Sequence, residues 1–155
     1  MRVALYARVS SVDQNVDQQM LKLRQFAKAQ GWSVEVEVKD TESGRLPLSE
    51  RRQFSELLTR LELLDAVVVF NIDRLTRFWP DQAVLEQAFR GNCRLLSLSD
   101  DIDLQTASGR LMFRLKMAVA CYMPEDMREK QVVGIERAKK EGKYKGGRKG
   151  RKWTK

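Results

Sequence analysis

The stretch Ala66-Val67-Val68-Val69-Phe70 is the most informative one for the fold, because it is an unbroken apolar run rich in β-branched residues. Such a run is typical of a parallel strand that is covered on both faces of a sheet. Val3–Tyr6, Ser33–Lys39 and Arg94–Leu98 predict three further strands. Since helical patterns lie between these strands, the sequence predicts an α/β domain whose mostly parallel central sheet is flanked by helices.

The segments between the strands predict helices over Asp17–Gln30, about Ser49–Leu64, and Pro80–Gly91. The spacing of apolar residues in the first helix directs four side chains toward the core: Met20, Leu21, Leu23 and Phe26. Asp40–Glu50 is polar and contains a glycine and a proline, so it predicts a mobile loop.

A different kind of helix is predicted after Ser108. From Leu111 to Met123 only Arg114 and Lys116 are not apolar, and a helix that is apolar nearly all round must be covered on more than one side. We predict that one face packs on the sheet and another on a second subunit. A central helix in a monomer is the alternative. The expected subunit contacts are Met112, Leu115 and Val119.

The positive charge is concentrated near the C-terminus. The 155 residues include 29 Lys plus Arg and 21 Asp plus Glu, for a formal charge of +8. Residues 128–155 carry +9, and residues 1–127 carry −1. Clustered basic side chains bind phosphates and release counterions, so residues 143–155 predict a DNA-binding arm. A solvated terminus is the alternative.

Composition excludes several other classes of protein. The apolar runs are far shorter than the roughly 20 residues of a membrane span, and no signal peptide is recognisable at the N-terminus, so we expect a cytoplasmic, DNA-associated protein. The chain has no histidine, only two cysteines and no phosphate-binding glycine loop. Acidic residues clustered after a strand usually cap helices or are solvated, which is our interpretation of Asp100, Asp101 and Asp103. We expect no metal and no cofactor.

Candidate chemistry lies where two parallel strands are predicted to end. The first is followed by Arg8 and by two serines, Ser10 and Ser11, and the central one by Arg74 and Arg77. Carboxyl ends of parallel strands meet at one edge of the sheet. Guanidinium groups match phosphate oxygens, and a serine among them is a candidate nucleophile. A turn with a helix cap, and a surface ion pair with Asp73, are the alternatives from the residues alone.

Ordered motifs resemble one family. YARVSSVDQN (6–15) resembles the nucleophile motif of the serine recombinases, the resolvases and invertases, and DRLTR (73–77) resembles their second motif. ASGRLMFRLKMAVA (107–120) is similar to the start of their dimerisation helix, and Glu50–Arg52 occupies the place of a further active-site arginine. The resemblance extends over essentially residues 1–150.

The resemblance implies a site-specific DNA recombinase with a resolvase-like fold. Ser10 would become joined to a DNA 5′ phosphate, surrounded by arginines 8, 51, 74 and 77. Asp73 would orient arginines, and Gln19 would line the site. It also implies double-stranded DNA as partner, a homodimer, and a tetramer in the synaptic complex. The corresponding regions are a catalytic core (1–105), a long helix for dimerisation and DNA approach (106–142), and the basic arm (143–155).

Two departures from the family pattern affect the C-terminal part. Pro124 and Lys130 stand where arginines are expected, although Glu129 matches. Because a proline inside a helix removes a backbone hydrogen bond, we predict a kink near Pro124. No helix-turn-helix domain, which usually follows in the family, is expected within these residues. The expected DNA contacts are Arg128, Lys130, Lys145, Arg148, Lys149, Arg151 and Lys152. A catalytically silent, dimeric DNA-binding protein of the same fold is the alternative function.

Overall fold

The computed structural model describes residues 1–9 and 16–140; side chains are described as far as Tyr122, and again at Ile135 and Arg137. It divides into two compact units, Met1–Cys121 and Tyr122–Lys155. The strands are β1 (Arg2–Arg8), β2 (Ser33–Asp40), β3 (Ala66–Val69), β4 (Arg94–Ser97) and β5 (Ile102–Asp103). The α-helices are α1 (Val16–Ala29), α2 (Arg52–Leu58), α3 (Ile72–Leu75), α4 (Asp81–Ala88) and α5 (Ala107–Lys140). Short 3-10 helices span Leu48–Glu50 and Leu61–Leu63.

The strands form one sheet in the order β2-β1-β3-β4-β5. β1 to β4 are parallel, and β5 pairs with β4 in the antiparallel direction. The mostly parallel α/β architecture expected from the sequence is therefore confirmed. β1 and β3 are neighbours in the centre of the sheet, so the residues that follow them emerge side by side at its carboxyl edge.

Alternate residues of the central strands enter two separate apolar clusters, as the two-residue period of a strand requires. Val67 and Val69 pack on the face that also holds the buried side chains of α2, α4 and α5. Ala66 and Val68 pack on the face covered by α1. All four side chains are fully buried, which explains why this stretch is apolar without alternation.

Helix α5 confirms one half of the interpretation of the apolar segment after Ser108. Thr106 caps its start by accepting a hydrogen bond from the Gly109 N–H at 2.9 Å. Phe113 and Met117 are fully buried in the core. The assigned helix includes Pro124, and the kink there stays a prediction. No helix in the described part of the chain is long and apolar enough to cross a membrane.

The structure corrects three details of the sequence prediction. The helix expected over Ser49–Leu64 is broken, because the backbone of Arg51 is extended before α2 and the backbone of Arg60 leaves helical angles after it. At the end of α2, Thr59 Oγ donates to the Glu56 carbonyl at 2.8 Å. Leu21 is 51% exposed, since a single face of α1 meets the sheet. The loop expected to be mobile, Asp40–Glu50, is anchored by buried residues at Asp40, Gly44 and Leu48.

Candidate active site

Arg8 is the last residue of β1, and its side chain is 1% exposed. Its Nε donates to the carbonyl of Arg74 at 2.7 Å, and its two terminal nitrogens donate to the carbonyls of Glu42 (3.0 Å) and Asp73 (3.3 Å). The guanidinium thereby joins β1 to the loop after β2 and to α3. The convergence expected at the ends of β1 and β3 is present in the structure.

Arg51 forms a second buried junction at the start of α2. Its Nε and Nη2 donate to the Leu46 carbonyl at 3.0 and 2.7 Å, and its Nη1 donates to the Leu75 carbonyl at 2.6 Å. The side chain is fully buried. Arg51 therefore holds the loop before α2 against the C-terminal end of α3, and this inward turn of its side chain accompanies the interruption of the helix.

Tyr6 and Asp40 complete the buried network, although neither is among the site residues predicted from the sequence. The Tyr6 hydroxyl donates to Asp40 Oδ2 at 2.8 Å and accepts a long hydrogen bond of 3.5 Å from Arg51 Nη1. Asp40 Oδ1 accepts from the Glu42 N–H at 2.9 Å. A signal for Tyr6 existed, because it lies two residues before Arg8 and shares its side of the strand.

Electrostatics in this network follow from burial. Burial lowers the pKa of Arg8 to about 10, and repulsion from Arg51, Arg77 and Arg74 acts in the same direction, so Arg8 is still charged at neutral pH. Burial and the neighbouring Asp40 carboxylate raise the pKa of Tyr6 well above its ordinary value, so Tyr6 remains a neutral donor. Buried charges require such hydrogen bonding because they have lost their contact with water.

The DRLTR segment presents two further guanidinium groups that are less buried. Arg77 Nη2 contacts Asp73 Oδ2 at 3.0 Å, and about one third of each side chain is exposed. Arg74 is half-buried, and within the described residues its guanidinium donates no hydrogen bond. Among the described residues, Arg74 is therefore the arginine of this cluster whose guanidinium has all of its donors unoccupied, whereas Arg77 uses one nitrogen in its ion pair.

A glycine and a buried aspartate keep the surrounding loop in place. A Cβ added at Gly44 would lie 2.6 Å from Arg8 Nη2, so the loop approaches the guanidinium as only glycine allows. The Gly44 carbonyl accepts from the Arg77 N–H at 2.6 Å. Asp81, which sequence reasoning missed, accepts from Thr76 Oγ and from the Leu48 N–H. These bonds tie the loop after β2 to the DRLTR segment.

The structure describes only some of the remaining predicted residues. Ser10 lies outside the described residues, as do Lys145, Arg148, Lys149, Arg151 and Lys152. Arg128 and Lys130 belong to α5, but their side chains are not described. Gln19 lies on α1 with a buried Oε1 that has no hydrogen-bond partner among the described residues. The proposed dimer residues Met112, Leu115 and Val119 are 45%, 53% and 57% exposed.

Comparison with known proteins identifies the family and the fold. The sequence model of "Resolvase, N terminal domain" matches residues 3–144. The transposon Tn2501 resolvase of Escherichia coli is 33% identical over 146 residues, which are 92% of this chain and 73% of that protein. The DNA-invertase of Escherichia phage P1 is 33% identical over 144 residues, with the same two shares. The crystal structure of the N-terminal catalytic domain of TP901-1 integrase has a TM-score of 0.63 and 30% identity, and the match covers 83% of this chain and 98% of that one.

The domain is an α/β fold with arginines gathered at the carboxyl edge of its sheet. Together with these relatives, this places it in a class of enzymes that recombine DNA. The chain belongs to the resolvase N-terminal domain family. It is a site-specific serine recombinase of the resolvase and invertase type, and DNA is its substrate.

Replacing Tyr6 with Phe tests the buried network. We expect Tyr6→Phe to lower the free energy of unfolding by about 1–3 kcal/mol, because Asp40 loses a donor that water cannot replace. Tyr122→Phe removes a hydroxyl from a side chain that is 63% exposed and should change stability by less than about 0.5 kcal/mol. Urea unfolding of both variants measures the difference. Equal, small effects would contradict the structural role of the Tyr6 hydroxyl.

Proposed function

We propose that Ser10 is the nucleophile of strand cleavage. Its hydroxyl oxygen attacks a DNA phosphorus, the bond from phosphorus to the 3′ oxygen breaks, and the 3′ oxygen leaves as a hydroxyl. A 5′-phosphoserine ester forms, and the reverse attack by a 3′ hydroxyl rejoins the strand. The ester retains the energy of the phosphodiester, so the reaction needs no nucleotide. Since this chain has no histidine, no imidazole of the chain takes the serine proton.

The observation that supports this proposal most directly is the unoccupied guanidinium of Arg74 beside the end of β1. Arg8, two residues before Ser10, bonds the Arg74 carbonyl at 2.7 Å, so the backbone of Arg74 is held next to the strand that leads to the serine. We propose that Arg74 and Arg77 contact the attacked phosphate and stabilise the charge that develops on it. Arg8 and Arg51 hold this arrangement, Asp73 orients Arg77, and Gln19 lines the site.

A covalent capture experiment tests the nucleophile. A nicked duplex selected from a random-sequence library by attachment to the unaltered chain serves as the substrate. We expect Ser10→Ala to abolish the protein–DNA adduct and Ser11→Ala to retain it. Since we expect no metal in the reaction, the unaltered chain should cleave fully in the presence of EDTA. Loss of the adduct in the Ser11 variant alone would contradict the assignment. DNA binding without any adduct from the unaltered chain would favour the catalytically silent alternative.

Arg74 should act on the reaction rate more than on binding. Losing one donor that stabilises developing charge costs on the order of 3 kcal/mol of transition-state stabilisation, whereas a single phosphate contact contributes little to affinity. We expect Arg74→Ala to slow single-turnover cleavage by about a hundredfold or more and to weaken DNA binding far less. Arg52→Ala is the control, because Arg52 adjoins Arg51 but is exposed and pairs with Glu56. Parallel losses of rate and affinity at Arg74 would refute this role.

We propose further that α5 forms the contact between two subunits. Its first half buries Phe113 and Met117 and leaves Met112, Leu115 and Val119 exposed on a segment with almost no polar residues. Exposed apolar side chains in a row are typical of a surface that binds another protein. Exchange of both strands at two DNA sites requires four cleavages, so two such dimers would form a tetramer during recombination.

Sedimentation tests the subunit contact. Leu115→Glu places a charge in the proposed interface, and we expect it to shift the chain toward monomer at concentrations where the unaltered chain is dimeric. Val84→Glu is the matched control, since Val84 is a comparably exposed apolar residue on α4 (46%). A monomer at high concentration for the unaltered chain, or equal effects of the two substitutions, would contradict the proposed interface.

The basic residues near the C-terminus are proposed as DNA contacts. Arg128 and Lys130 would reach DNA from α5, and residues 143–155 would form an arm that follows the duplex. The support for this proposal is the net charge of +9 over residues 128–155, against −1 for the rest of the chain. Contacts of this kind neutralise phosphates and supply affinity that decreases with salt.

A further inference from the structure

Asp100 lies between three elements of the fold. Its Oδ2 accepts hydrogen bonds from the Ile72 N–H and from Ser97 Oγ, each at 2.8 Å. Its Oδ1 pairs with Lys116 Nζ at 3.1 Å. The Asp100 side chain is only 9% exposed. One carboxylate therefore contacts the beginning of α3, the end of β4 and the first half of α5.

The contact with α3 replaces a local helix cap. Asn71 precedes α3, but its side chain makes no capping hydrogen bond, and its Oδ1 is buried without a partner among the described residues. The Ile72 N–H bonds Asp100 instead, 28 residues further along the chain. A helix of four residues is not stable in isolation, so its position depends on such contacts.

α3 carries the residues proposed to act on DNA. Asp73 and Arg74 lie within it, and Arg77 follows two residues after its end. The Arg8 guanidinium donates to the carbonyls of Asp73 and Arg74. α3 is therefore held at its first N–H by Asp100 and at two of its carbonyls by Arg8. A shift of α3 would move the Arg74 guanidinium relative to the end of β1.

The third partner, Lys116, connects this arrangement to the long helix. Lys116 is adjacent to Leu115 in the segment proposed to contact a second subunit. α5 makes another ion pair nearby, from Arg114 to Glu86 on α4 at 2.6 Å, and the Glu86 side chain is similarly buried (10%). The two ion pairs connect α5 to different elements. The pair of Arg114 connects it to α4, and the pair of Lys116 connects it to α3, because Asp100 also bonds the Ile72 N–H.

We propose that Asp100 is a positioning residue for strand cleavage, which sets the place of α3 and its arginine according to the position of α5. This inference rests on the proposed function of Arg74. The Asp100 carboxylate is charged at neutral pH. Burial raises its pKa, but the hydrogen bonds from Ile72, Ser97 and Lys116 outweigh burial and leave the pKa below its ordinary value. Breaking the Lys116 contact would leave the carboxylate free to turn toward water, away from the Ile72 N–H.

Amide hydrogen exchange of the full chain without DNA tests the contact itself. We expect Lys116→Gln to accelerate exchange of the Ile72 amide by about three- to fivefold, the range for loss of a partly exposed ion pair, and to leave core amides such as that of Leu5 unchanged. Lys116→Arg should restore protection. Arg114→Gln, which breaks the matched pair on the same helix, should not affect Ile72.

Single-turnover cleavage of the captured substrate tests the consequence. We expect Lys116→Gln to slow adduct formation by at least the same factor, about three- to fivefold, with DNA affinity within about twofold of the unaltered chain. Asp100→Asn should slow it further, by about tenfold or more, because the charge-assisted bond to Ile72 is lost. An unchanged Ile72 exchange rate, or faster exchange with unchanged cleavage, overturns the positioning role. An unaltered chain that forms no adduct instead overturns the proposed function, while the exchange measurement still reports on the Asp100 contact.

Discussion

The buried guanidinium of Arg8 is the interaction on which the geometry of the site depends. A buried cation is tolerated only when protein groups replace the water that it has lost, and here the carbonyls of Glu42, Asp73 and Arg74 do so. These carbonyls belong to two segments that are distant in sequence. Satisfying one side chain therefore requires the loop after β2 and the turn after β3 to lie at fixed places against β1. Arg51 imposes a second constraint of the same kind on the loop before α2.

The fold could be predicted further from the sequence than the site could. The buried central strand follows from the unbroken apolar run at Ala66–Val69, and the mostly parallel sheet follows from the alternation of predicted strands with helices. The convergence of Arg8 with the DRLTR segment follows from the position of both at carboxyl ends of parallel strands. The bond from Tyr6 to Asp40 joins residues 34 apart, and that from Ile72 to Asp100 joins residues 28 apart. Such pairs have no signature in local spacing, because they depend on how elements pack and not on how they form. Local spacing also predicted a helix that continues through Arg51. The helix is interrupted there, and the Arg51 side chain bonds the Leu46 and Leu75 carbonyls, which lie outside the helix.

The charge distribution of the site favours a polyanion. Arg8, Arg51, Arg74 and Arg77 lie close together, whereas the described carboxylates bonded within the cluster are those of Asp40 and Asp73. Burial is the largest cause of the lowered pKa of Arg8, and repulsion from the three other arginines lowers it further. A phosphodiester placed among these groups would relieve that repulsion, so the arrangement attracts the substrate before any specific contact forms.

The four arginines are not equivalent, and their burial indicates a division of roles that the family resemblance alone does not provide. Moving Arg8 or Arg51 onto a phosphate would remove the donors of several carbonyls that are buried or partly buried, at a cost of up to about 1–3 kcal/mol each. Arg77 is held by one ion pair whose members are about one third exposed, and pairs of that kind contribute about 0–1 kcal/mol. Arg74 has no such bond to lose within the described residues. We therefore expect an incoming phosphate to recruit Arg74 and Arg77 at little cost, while Arg8 and Arg51 keep the frame that brings both of them to the end of β1.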